Sequence, residues 1–338
     1  MLKNSQNLII ISDRVANREG INIFSNNLEF SSPTVFNALK SAAENLFSKV
    51  YYYDSPKEFI DNICKHKDDI VLSTIWSGTD SRNRKIYVPS ICEAYDIQYV
   101  GADSFIQALC ADKSLCKKYC LSHDIDSPKD IIFHRADKNF DMLNNLNYPV
   151  VVKPNFEGAS IGISNNNLVY STEDAEKILK LLFKKYDEII VEEYIEGTEV
   201  SACIVGNNGK VKLFEVVKLI LDGNDYFKNQ IWGYESKKGG ASNVTRQIVT
   251  SLIPDDMKQS FINLFNSLGK VDFMRIDGRI FNNKFYLIEL TPDCSLHPDC
   301  FMYYAFKSRG YSFEDMIRIL IENTKEWYLQ KKYENPYY

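Results

Sequence analysis

The sequence predicts an α/β chain in which a doubly wound parallel sheet is followed by strand-rich units that carry a charged hairpin. Three observations support this. Apolar strand-like and amphipathic helix-like segments alternate through the first hundred residues. From Val200 onward the pattern turns mostly to strands. Near the end, two apolar runs flank an Asn282-Asn283 turn signal, and each run carries an acid where a half-buried strand favours an apolar side chain.

The elements follow in order. Leu8–Ser12 reads as a first buried strand, and a helix follows near Pro33–Leu46, with Pro33 suited to a first helical turn. Strand Val50–Tyr53, helix Lys57–His66, strand Ile70–Ile75 and short strand Ile97–Val100 close a first unit at about residue 103. Ser104–His123 predicts one helix, broken by Asp126-Ser127-Pro128. Tyr148–Lys153 and Ile189–Glu193 are continuous apolar strands. Between them runs a helix from Ser171 or Thr172 to Tyr186, with acids in its first turn. A Gly-rich loop occupies Gly233–Ser242, Pro254-Asp255 opens a helix to Leu268, and Phe313–Tyr328 is a closing amphipathic helix. The expected units are 1–103, 104–191 and 192–338.

At 338 residues, with 45% apolar and 25% charged side chains, the chain has ample core for these units. Net charge is −5 with mixed signs and no basic block, which argues against nucleic-acid or membrane-surface partners. The opening run Leu8-Ile9-Ile10-Ile11 is too short for a signal peptide or a membrane span, so a cytoplasmic location is expected. Eight scattered cysteines then read as reduced thiols, mostly core filler. Cys116-x3-Cys120-x2-His123 has no second ligand pair at zinc spacing, and no P-loop pattern occurs.

The chemistry concentrates in Met274–Pro292. If the loop is Asn282-Asn283-Lys284, Asp277 lies opposite Glu289 and Arg275 opposite Thr291, all on one face. A two-residue loop would put the two acids on opposite faces. Facing carboxylates repel unless neutralised, and Mg²⁺, which takes one or two carboxylates plus substrate phosphates, suits them. Upstream, Lys153 ends an apolar strand and leads into a small-residue loop, an arrangement that can hold phosphate. A dense acidic cluster interrupts the apolar run at Val191-Glu192-Glu193-Tyr194-Ile195-Glu196-Gly197-Thr198-Glu199.

Taken with Ala111-Asp112-Lys113 and Glu157-Gly158-Ala159-Ser160-Ile161-Gly162, these segments resemble the ATP-grasp superfamily, most closely its D-alanine–D-alanine ligase branch. Order and spacing match from about residue 97 to 325. The resemblance implies an ATP-grasp fold preceded by a Rossmann-like parallel-sheet domain, and ATP with two Mg²⁺ ions as cofactors. It implies that Lys113 and Lys153 bind ATP phosphates beneath a lid at Gly158–Gly162, with Glu157, Ala159 and Ser160 contributing. Glu192 and Ile195 fall where that family holds adenine and Glu199 where it binds ribose, with Glu193 and Tyr194 also in the nucleotide-binding segment. Lys237 matches a phosphate-contacting lysine, and Arg275 the residue that stabilises a tetrahedral intermediate. Asp277 and Glu289 match the metal ligands, with Glu289 bridging two ions, and Thr291 departs from the family's Asn but offers a hydroxyl that can still ligate Mg²⁺. A homodimer and small amino-acid-like substrates are the implied partners.

Departures fall where substrates would sit. Ser12–Glu19 and Trp76–Asn83 differ from the family pattern, and Glu29 is the candidate amine-binding acid. The lid serine is Ala159 here, and its aromatic partner is Lys238. After Glu289 the chain reads Leu290-Thr291-Pro292-Asp293-Cys294-Ser295, and Asp293 and Asp299 either favour a cationic or amine-rich acceptor or are loop acids in solvent. The leading expectation is therefore an ATP-dependent carboxylate–amine ligase, acting through an acylphosphate on a pair other than two D-alanines, as in specialised-metabolite synthesis. The alternatives are an ordinary D-alanine–D-alanine ligase and a nucleotide-binding pseudoenzyme.

Overall fold

A computed structural model describes residues 6–12, 31–75, 81–207, 209–233 and 243–334. The first unit is a parallel sheet of β1 (Leu8–Ile11), β2 (Val50–Tyr53), β3 (Ile70–Ser73) and β4 (Gln98–Val100), in the order β2-β1-β3-β4. Every β1 residue is buried, as a strand covered on both faces must be. On one face lies α1 (Pro33–Leu46), capped by Ser32, which accepts from the Val35 N–H. On the other, α2 (Pro56–Asn62) and α3 (Tyr87–Ala94) pack Phe59, Val88 and Cys92 against Ile9, Ile11 and Val71.

The single helix expected over Ser104–His123 is two, α4 (Ser104–Ala111) and α5 (Lys113–Leu121). Asp112 adopts extended backbone between them and caps α5, its carboxylate accepting from the Leu115 N–H at 3.0 Å. That break places Lys113 at the first position of α5.

The second unit is an antiparallel sheet of β5 (Asp130–His134), β6 (Val150–Pro154), β7 (Leu168–Val169) and β8 (Glu188–Glu193), in the order β5-β8-β6-β7. α6 (Thr172–Leu182), capped by Ser171, covers one face with Ala175, Leu179 and Leu182 against Val150, Val152 and Val191. β8 runs on to Glu193, across the expected junction at 191/192.

The third sheet is antiparallel and five-stranded, in the order β11-β10-β9-β12-β13. Its strands are β9 (Thr198–Asn207), β10 (Lys210–Leu221), β11 (Val244–Ile248), β12 (Asp272–Phe281) and β13 (Lys284–Pro292). α7 (Asp255–Ser267), α4 and α5 cover the face that presents Ala202, Ile204 and Ile276. α8 (Phe301–Ser308) and α9 (Phe313–Glu334) cover the other, and their core runs on into β1 and α1. β5, α3 and α8 carry no strong periodicity in the sequence and were not expected.

The hairpin reaches its expected pairing by an unexpected route. The turn has two residues, Asn282 and Asn283, both left-handed at φ 50° and 61°, as a type I′ hairpin turn requires. Continued without change, that turn would send Asp277 and Glu289 to opposite faces. One extra residue, Ile288, bulges from β13 between the partners Asp277↔Glu289 and Gly278↔Leu287. The bulge restores Asp277 opposite Glu289 and Arg275 opposite Thr291. Gly278 makes room for it, since a Cβ there would lie 2.4 Å from the Tyr286 carbonyl oxygen.

Candidate functional site

Strand alternation aims Arg275, Asp277 and Arg279 of β12 into one cleft, facing β6 and β8 of the second unit. The cleft offers about 1010 Å³ of space and collects Lys113, Lys153, Glu157, Ser160, Glu192, Glu193, Tyr194, Ile195, Glu199, Arg275, Asp277 and Glu289. An adjoining cavity of about 1520 Å³ takes Gly158, Ala159 and Thr291, and shares Lys113, Glu157, Arg275 and Glu289 with the first. Lys237, Lys238 and Glu29 lie outside the described residues.

At the floor of the cleft, Glu192 bonds the ammonium groups of both Lys117 and Lys153, and Lys117 also lies 3.7 Å from Asp130. All three members of that central pairing are buried. Burial alone would push the Glu192 carboxyl up, but the two lysines outweigh it and hold its pKa at about 2. Lys117 was missed in the sequence, although it stands one helical turn after Lys113 and so on the same face of α5.

Lys113 donates to the carbonyls of Asn155, at 3.3 Å, and Glu157. Burial lowers its pKa to about 8, although Glu289 pulls in the other direction. The lid begins here. Glu157 is held by Arg84 at 2.9 Å, and Ala159 and Ser160 form a left-handed turn closed by the Ile161 N–H donating to Gly158. Left-handed backbone is costly for residues with a Cβ, so other contacts must hold it. Ser160 supplies one, donating to the Trp232 carbonyl at 3.0 Å.

At the opposite wall, Arg279 organises the segment after β8, and the sequence reading missed it. It bonds Glu199 at 3.1 and 3.2 Å, and the carbonyls of Ile195 and Gln230 at 2.8 and 3.0 Å, while its guanidinium stacks 4.7 Å from the Tyr194 ring. Gly197 lets this segment close, because a Cβ would lie 2.3 Å from the Ile280 carbonyl oxygen. Glu193 turns away, accepting from Asn147 at 2.9 Å.

On the hairpin, Asp277 takes two hydrogen bonds from Arg275, at 3.2 and 2.8 Å, one from Ser201 at 2.6 Å and one from Thr291 at 3.0 Å. Burial works against the Arg275 charge, but Asp277 more than restores it. The Thr291 hydroxyl is thus spent on Asp277. Glu289 has no hydrogen bond or ion pair among the described residues and faces both cavities. No group of three or more His, Cys, Asp or Glu side chains that could hold a metal occurs among the described residues. Two hard carboxylates, one fully open, nevertheless suit Mg²⁺ arriving with nucleotide phosphates, since that ion needs no protein cage of its own.

The two acids weighed for a cationic acceptor, Asp293 and Asp299, have different surroundings. Asp293 is engaged by the Ala102 N–H at 2.8 Å and the Gln107 amide at 2.5 Å, and burial pushes its pKa up to about 8. Asp299 is 84% exposed and lies 3.9 Å from His297. One is a structural tie between the first unit and β13, and the other points into solvent.

Residues 127–322 match the family described as D-ala D-ala ligase C-terminus. A D-alanine–D-alanine ligase of Halalkalibacterium halodurans is 25% identical over 304 residues, covering 86% of this chain and 92% of that one. The corresponding protein of Carboxydothermus hydrogenoformans is 29% identical over 253 residues, covering 69% and 75%. Among solved structures, D-alanine–D-alanine ligase from Bacillus anthracis complexed with ATP superposes with a TM-score of 0.73 at 17% identity, over 97% of this chain and all of that one. A D-Ala:D-Ser ligase from Enterococcus faecalis gives 0.69 at 20% identity, over 95% and 100%. The fold is therefore the ATP-grasp fold behind a parallel-sheet domain.

Proposed function

Because the chain belongs to the D-ala D-ala ligase C-terminal family, within the ATP-grasp superfamily, we propose that it joins two small amino acids, D-alanine foremost, in an ATP-dependent reaction. The chain is an ATP-dependent ligase forming C–N bonds. The names of its relatives support D-alanine on both sides over the different pair that the segment after Thr291 suggested. The observation that carries the reading is the convergence of Lys113, Lys153, Arg275, Asp277 and Glu289 on one cleft. Retention of that whole charged set argues against a binding-only protein.

Lys113 and Lys153 hold the nucleotide phosphates, and the turn at Gly158–Ile161 covers them. Lys153 arrives already paired with Glu192, so phosphate binding shares its charge rather than uncovering it. Asp277 and Glu289 would hold Mg²⁺, which when bound neutralises charge on the transferring phosphoryl group. Arg275, kept cationic and oriented by Asp277, donates to the oxyanion that develops when the amine attacks the activated carbonyl. Release of ADP with D-alanine, set against a panel of other amino-acid pairs, tests the reading. Release confined to a pair without D-alanine would overturn the substrate assignment, and release with no pair at all would overturn the ligase.

Lys113 gives a pH signature. It is charged below about pH 8 in the free enzyme and neutral above, so kcat/KM for ATP is expected to fall as pH rises through that value. Lys113→Arg should remove the fall, since arginine stays protonated throughout. An identical profile in the arginine variant would show that another group is titrating.

A further inference from the structure

The cavity beside the hairpin contains a cation that forms no ion pair among the described residues. Arg246, on β11 opposite Leu219, reaches over α8 so that its guanidinium lies 5.1 Å from the Phe301 ring centroid. Arg275 approaches the same ring at 5.5 Å. Asp277 neutralises Arg275 with two hydrogen bonds. No described carboxylate does this for Arg246. Among the described residues its side chain donates no hydrogen bond and forms no ion pair, and its Nε is buried without an acceptor.

A desolvated guanidinium without an acceptor is unfavourable, and the fork geometry of arginine matches a carboxylate. The phenyl face of Phe301 holds the guanidinium in place but supplies no lone pair. Of the two acids at this cavity, Asp293 is tied to Ala102 and Gln107, and Asp299 is solvent-exposed at the rim and forms no ion pair with Arg246. The cavity is continuous with the nucleotide cleft through Lys113, Arg275 and Glu289. A molecule reacting at the Arg275 end thus has Arg246 within the same enclosure.

We propose that Arg246 binds the free carboxylate of the amine-donating substrate, so that the enzyme selects amino acids over amines that lack a carboxylate. The inference rests on the ligase reading of the same cleft and names the chemistry of its acceptor.

The test is equilibrium binding, which needs no turnover. Glycine, D-alanine, L-alanine and D-serine, each as the free acid and as its amide, are titrated by calorimetry into the ADP–Mg²⁺-saturated protein. The wild type is expected to bind at least one acid about thirtyfold or more tighter than its amide. Arg246→Gln should bring that ratio to within about twofold, while Arg246→Lys restores part of it, because charge without the fork gives only part of the contact. ADP affinity serves as the check that each variant is folded. A wild type without acid-over-amide preference for any of the four, or a glutamine variant that keeps the preference, would overturn the proposal. Failure of the ligase reading shows up separately, as absence of ADP release despite a retained acid-over-amide difference in binding.

Discussion

Glu289→Gln is expected to abolish turnover, lowering kcat/KM by about 1000-fold or more, while the unfolding midpoint stays within a degree or two of wild type. The two halves of this expectation have separate causes. Glu289 lines both cavities and makes no hydrogen bond or ion pair among the described residues, so the fold does not depend on its charge. Its neighbour Asp277 already accepts from Arg275, Ser201 and Thr291, which makes it the weaker of the two metal ligands. Glu289 is therefore the carboxylate with lone pairs to spare, and removing one oxygen anion there weakens metal binding directly. A steady-state assay over a range of Mg²⁺ concentrations checks it, with calorimetric melting alongside. Wild-type turnover at low Mg²⁺ would remove the hairpin from the metal site.

Substituting Glu192 acts on stability instead. Glu192→Gln leaves Lys117 and Lys153 buried with their shared anion gone, a change expected to cost about 3–5 kcal/mol in urea unfolding at neutral pH. The same pairing sets an acid limit. The folded carboxyl titrates at about 2 rather than at its usual 4.5, so its stabilisation is complete above about pH 4.5 and is lost as pH falls toward 2. The linked loss is on the order of 3 kcal/mol. The glutamine variant should lack that part of the acid dependence. If its stability and its acid profile both match wild type, the three groups are not coupled as their geometry indicates. Replacing Lys117, Lys153 and Glu192 together by methionine, methionine and leucine should recover much of the lost stability, since a filled apolar site has no stranded charge. Nucleotide affinity should not return with it, because Lys153 is gone.

What could be read in the chain depended on whether local pattern or long-range packing decided the outcome. The acids of Met274–Pro292 were visible because they interrupt apolar runs, and Lys153 because it ends one. The break at Asp112 was harder to see, since no Gly or Pro marks it. It is made by an aspartate that caps the next helix and is itself held by Asn155, 43 residues away. Arg279 looked like an ordinary charged strand residue, and only the approach of Glu199, Ile195 and Gln230 gives it its task. Arg246 sits in Val244-Thr245-Arg246-Gln247-Ile248, the alternating pattern of any edge strand. Nothing local separates a solvated arginine from one tucked over Phe301. Asp293 shows the converse: a loop acid that seemed available for a ligand is occupied by the backbone of another unit.

The bulge at Ile288 makes the hairpin a device with parity. Between turn and bulge, odd and even positions of β13 follow one rule, burying Phe285 and Leu287; beyond the bulge they follow the other, burying Leu290. The core-facing steps therefore run two and then three. Deleting any one residue between the turn and Glu289, with the bulge kept, would swing that carboxylate from the cleft into the core and send Leu290 the other way. Deleting two would return it to the correct face but about 7 Å short of Asp277. Side chains on this arm can be exchanged one at a time with graded effects, whereas its length behaves as a binary digit. Variation in the loops and ends of this fold can be generous, whereas the eight residues from Asn282 to Glu289 can lose one only if the bulge closes with it.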